Sequence, residues 1–176
     1  MTDQTQTADA ATRAVLVTAL LVAAFHVVKL VFGVVVSFGN TLAYGSGGSF
    51  DYVANILEGS VWQFFTGIVP LAVGIFIGFR LVAPITALLA LRSVLLRSVV
   101  AAGIAAAMAL VIGIVFALST HVTDNVFGYA FPLGEVGGAF TQAFASIGET
   151  LASLLASLPE IALAAVLLWQ WLRRRS

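Results

Sequence analysis

The chain has 176 residues, of which 61% are hydrophobic and only 9% charged, with a formal net charge of zero. A soluble domain carries about 25% charged residues, so this composition excludes an ordinary water-soluble fold and points to lipid. Neutrality removes a bulk field for nucleic acid or acidic partners, and the absence of cysteine removes disulfides, thiolate metal sites and cysteine nucleophiles.

Residues 1–12 are polar and read as a short disordered cytoplasmic tail, with 13–176 as a single transmembrane domain. A helix needs about 20 apolar residues to cross the hydrocarbon core. The first such stretch runs from Ala14 to Val36, interrupted by His26 and Lys29. Gly45-Ser46-Gly47-Gly48 then reads as a flexible loop, without the spacing of a phosphate-binding loop. Phe50, Val53 and Leu57 make a short apolar stripe, which Ser49 could cap with Asp51 near its positive end. The second span runs from Val61 to Phe79 and contains Pro70, Gly74 and Gly78.

The next segment, Leu81 to Leu91, is apolar but lies between arginines. It either extends the second helix or lies flat at the surface, and Pro84 favours a break. The third span, Ser98 to Leu118, has no charge. Its Ala105, Ala109 and Gly113, and its Gly103 and Ala107, form ladders that allow close helix approach in lipid. His121 and Asp124 at its end are too few to hold a metal. Val136, Phe140, Phe144, Ile147 and Leu151 recur at helical spacing, which predicts an amphipathic surface helix. The fourth span runs from Leu151 to Leu172 and holds Pro159 and Glu160. Each proline frees a carbonyl and is expected to kink its helix.

Basic residues set the orientation. Arg13, the group Arg80, Arg92 and Arg97, and the terminal Arg173, Arg174 and Arg175 alternate with two connections that contain no Lys or Arg and carry Asp51, Glu58, Asp124, Glu135 and Glu149. The positive-inside rule puts both termini in the cytoplasm of a multi-pass cell-membrane protein. Trp62, Trp169 and Trp171 fall at span ends, where indoles favour the interface. The richness in Ala, Val and Gly, with Lys29 the sole lysine, suits a GC-rich prokaryotic genome.

The two halves also resemble each other. Arg13-Ala14-Val15 matches Arg97-Ser98-Val99, Gly48-Ser49-Phe50 matches Gly138-Ala139-Phe140, and Pro70 falls near the register of Pro159. The expected fold is therefore an all-α, four-helix transmembrane bundle. It would be built from two tandem two-span repeats, 13–96 and 97–176, each with a short outer amphipathic helix.

His26, Lys29 and Glu160 are the candidate site. His26 and Lys29 are three residues apart and share a helix face. Centring the first span on Phe25 puts Lys29 about 6 Å from the midplane, and Glu160 lies about 2 Å from it. Side chains lean towards their own helix N-terminus, so the two charges converge in depth. An ionised group here costs about 2.5–3.5 kcal/mol to insert, and a partner of opposite sign offsets that cost.

No catalytic or cofactor-binding motif is found, and no cofactor is expected. The leading expectation is a non-enzymatic structural or accessory membrane subunit. Its partners would be the lipid bilayer and other membrane proteins or copies of itself, with no nucleic acid. The alternative is a small transporter or channel that uses Lys29 and Glu160. A water-filled cavity reaching Glu160 would favour the alternative.

Overall fold

The computed structural model describes the backbone of residues 2–44, 50–127 and 133–174, with side chains over 11–43, 53–116 and 152–174 and at Ser119 and Gly148. The described backbone is helical apart from one connection, and no strand occurs among the described residues. Helix α1 spans Thr2–Tyr44, α2 Phe50–Gln63, α3 Val69–Ile77, α4 Leu91–Phe127 and α5 Leu133–Arg173. Four stretches are long and apolar enough to cross a membrane: Ala11–Ala43, Val53–Val82, Leu91–Phe116 and Ala152–Arg173. An even number of crossings returns the chain, so both termini lie at one end of the bundle, here called the terminal end.

Helix α1 starts at Thr2 rather than near Arg13, so the polar start is helical in backbone and continuous with the first span. Residues 2–12 contain no proline or glycine, and adding residues to a formed helix is far easier than nucleating one. The short outer helices also differ from expectation. They are not separate surface elements. Helix α2 runs into α3 through a wide π turn at Phe64–Ile68, and the outer segment of the second half is simply the start of α5. The stripe from Val136 to Leu151, the Ser49 cap with Asp51, and His121 with Asp124 lie outside the described side chains.

The π turn has a local cause. Pro70 has no N–H to give to the carbonyl four residues back, and its ring crowds that carbonyl. The turn just before it widens instead, with the Val69 N–H bonded to the Phe64 carbonyl. A second π turn, Gly78–Val82, closes with the Ala83 N–H on the Gly78 carbonyl at 2.8 Å.

The helix then ends at Ala83, whose φ of −134° and ψ of 62° leave the helical region, immediately before Pro84. Residues 83–90 form a non-helical connection, so of the apolar segment between the arginines only Leu81 and Val82 extend the helix. It turns Ile85 into the core and is tied down on two sides. The Arg97 guanidinium donates to the Pro84 carbonyl. The Trp169 indole donates to the Leu89 carbonyl at 3.0 Å, and Arg173 stacks over the same indole at 4.8 Å.

Helix α4 is the spine of the bundle, packing along both α3 and α5, while α1 lies against α3 and α5. The closest approach is between α3 and α4. A Cβ placed on Gly74 would stand 2.3 Å from the Ala105 Cα, and one on Gly78 2.7 Å from the Ala101 Cα. Only hydrogen fits in these gaps, as small-residue packing in lipid requires. The ladders expected on the third span are therefore divided. Ala105 packs on Gly74, whereas Gly103 has nothing within 4 Å and faces outward with Ala107.

Val15, Ala19, Phe79, Ile85, Val94, Ala101 and Leu168 are all buried together at the terminal end. Many large apolar side chains face outward, among them Leu21, Val28, Phe32 and Leu163. In water these would be a liability, but on a bundle with four candidate spans they suit contact with lipid tails.

Candidate functional site

Away from the terminal end the helices separate, and polar residues line the gap. On α1 they are His26, Lys29 and Ser37, together with Gly33, at spacings of three and four. On α2 they are Ser60 and Gln63, and on α5 Ser153 and Ser157. Ser153, Ser157 and Glu160 are spaced by four and three, so they share one helix face. Two adjoining cavities of about 410 Å³ each occupy the gap, and both are lined by His26, Gln63, Ile68 and Ser153. The second also reaches Ala109, Gly113 and Phe116 on α4.

Serine is tolerated in these spans because its hydroxyl can bond to its own helix. Ser157 donates to the Ser153 carbonyl at 2.8 Å, and Ser60 to the Ile56 carbonyl at 2.7 Å. The hydroxyl hydrogens are thereby satisfied, and the oxygens can still accept from something in the cleft.

The three residues singled out by the sequence meet beside this cleft. Lys29 Nζ donates to Glu160 Oε1 at 2.6 Å, linking α1 to α5 across 131 residues. This is a short, charge-assisted contact. His26 Nε2 lies 3.5 Å from the other carboxylate oxygen, Oε2. Glu160 and His26 are largely covered, with side-chain exposures of 21% and 17%, whereas Lys29 is half exposed at 50%. The Lys29 ammonium also lies 5.2 Å from the Phe25 ring centroid, a cation–π distance. Towards the terminal end the trio is closed off by Val22, Leu71, Ala105 and Ile161, all buried.

The convergence of Lys29 and Glu160 expected from depth and side-chain lean is present in the fold. The polar lining formed by Ser60, Gln63, Ser153 and Ser157 was not anticipated. The pattern that could have revealed it is a polar stripe at helical spacing: 26, 29, 33 and 37 on α1, and 153, 157 and 160 on α5. Apart from the trio itself, each residue in it is weakly polar or small, so none stands out alone. Among the described residues no group of three His, Cys, Asp or Glu could hold a metal ion.

The fold and site define an all-α membrane protein with an intramembrane charged trio beside a polar cleft. Comparison with protein-family models, curated proteins and solved structures finds no match at a significant level.

Proposed function

We propose that the protein is a small, non-enzymatic membrane transporter that admits an ion or small polar solute to the cleft beside Glu160. One observation carries this reading: the bundle is open and polar on one side of the trio, and closely packed on the other. A cleft with access from one side is the form expected of one state of an alternating-access cycle. The positive-inside pattern of Arg13, Arg80, Arg92, Arg97 and Arg173 supports a cell-membrane orientation with both termini in the cytoplasm. In that orientation the cleft faces outward.

A second reading, an accessory subunit that packs beside another membrane protein, is favoured by α1. Only 11% of its span window is buried within the chain, and Lys29 is half exposed on it. Vesicles containing the purified protein separate the two. Proton, potassium, chloride and phosphate fluxes would be measured under an imposed potential. Transport predicts at least one flux above protein-free vesicles that is lost in Glu160→Gln. Fluxes equal to protein-free vesicles, with native purification yielding a stoichiometric membrane partner, would support the accessory role instead.

A further inference from the structure

His26 makes two contacts that together constrain where its protons lie. Its Nδ1 is 3.0 Å from the Val22 carbonyl oxygen, one helical turn back. A carbonyl oxygen can only accept, so Nδ1 carries the hydrogen. A neutral imidazole with its hydrogen on Nδ1 has a bare lone pair on Nε2. That lone pair faces Glu160 Oε2 at 3.5 Å. Oε2 is itself a buried acceptor without a hydrogen-bond partner among the described residues. Two acceptors thus confront each other, and leaving such a buried atom unmatched costs about 1–3 kcal/mol. A water donating to both atoms would hold them about 4.5 Å apart, whereas at 3.5 Å a proton on one of them matches the pair directly.

The surroundings supply no further charge to this pair. The Lys29 ammonium is committed to the opposite oxygen, Oε1, at 2.6 Å. The neighbouring polar groups on the cavity walls, Gln63 on α2 and Ser153 and Ser157 on α5, are uncharged. Leu71 of α3 and Ala106 of α4 add none.

We infer that His26 Nε2 and Glu160 Oε2 form a proton-binding site, loaded by one proton from hydronium in the cleft. The Nε2 lone pair forms the new N–H bond, the hydronium O–H bond breaks, and water is left behind. The imidazolium then donates to Oε2, and the trio changes from net neutral to a single positive charge. The inference rests on water entering the cleft, the same openness that the transport reading uses. It assigns the coupling species, a proton, and the atoms that hold it.

Solid-state nitrogen NMR of the full chain in lipid bilayers, with labelled histidine, reads this directly. The chain has two histidines, so His121→Asn isolates the His26 resonances. Nδ1 should be protonated at every pH, Nε2 should gain a proton on acidification, and that proton should show a through-space contact to the Glu160 carboxyl carbon. In Glu160→Gln the Nδ1 should stay protonated, because its partner is the Val22 carbonyl. A bare Nδ1 with a protonated Nε2 at high pH would overturn the assignment. So would a protonated Nε2 without a through-space contact to the Glu160 carboxyl carbon. The readout is at equilibrium and needs no flux. Silent vesicles with this titration intact would therefore overturn the transport reading alone.

Discussion

The two ends of the bundle solve the same problem in opposite ways. At the terminal end, α3 and α4 meet through glycine and alanine, and no side chain larger than hydrogen fits at Gly74 or Gly78. At the other end, the glycines Gly33, Gly67 and Gly113 have no described atom within 4 Å, and the helices leave open cavities between them. Small residues therefore serve close packing in one region and leave space in the other. A small residue in a membrane helix reports a contact only when something stands opposite it. Lys29, His26 and Glu160 sit at the boundary, where the packed end stops and the polar cleft begins.

The largest effect should come from filling the close approach. Gly74→Val would drive side-chain atoms into the backbone at Ala105. The helices would have to part, at a cost of about 3 kcal/mol or more. Gly33→Val and Gly103→Val, facing open space, should leave the melting temperature in detergent nearly unchanged. Equal losses at all three positions would erase the contrast between glycines that face a helix and glycines that face open space.

The boundary trio should give the next largest effect. Lys29→Met or Glu160→Gln alone should cost about 2 kcal/mol, because each leaves a charged or polar partner uncompensated. The double change should cost less than either single one, since removing both partners leaves no orphan. Thermal unfolding of the four chains would show this. A double-variant loss equal to the sum of the singles would mean that the pair contributes no coupling.

A smaller effect is expected where the 83–90 connection is held. Trp169→Phe removes the indole hydrogen bond to the Leu89 carbonyl and weakens the stacking of Arg173. Loss of one such bond costs about 1 kcal/mol. Hydrogen exchange should rise at residues 83–90 and remain unchanged on α2. A rise on α2 instead would contradict the assignment of this contact to the terminal end.

Much of this arrangement can be read from the sequence. Long, predominantly apolar runs locate the four spans because lipid demands them. Depth and lean bring Lys29 to Glu160 because both follow from the fixed rise and tilt of a helix. Pro84 marks the end of the second span because the backbone leaves the helix at Ala83, just before it. Other features depend on tertiary partners. Gly74, Gly78 and Gly103 look alike in sequence, and only the position of α4 distinguishes them. The continuity of α2 with α3 depends on the π turn ahead of Pro70, a backbone adjustment that no apolar pattern encodes. Ile85 is buried because Arg97 and Trp169 hold its connection in place from other elements.

The central claim is that water reaches the charged trio from one side only. The chain has no cysteine, so single introduced thiols can report it without background. Ser153→Cys lines both cavities of the open end, and Ser98→Cys replaces a residue that is 1% exposed in the packed end. A membrane-impermeant thiol reagent should label Ser153→Cys when added to the face opposite the termini, and not when added to the terminal face. Ser98→Cys should resist it from both. Labelling of Ser153→Cys from the terminal face, or from neither face, would contradict the account.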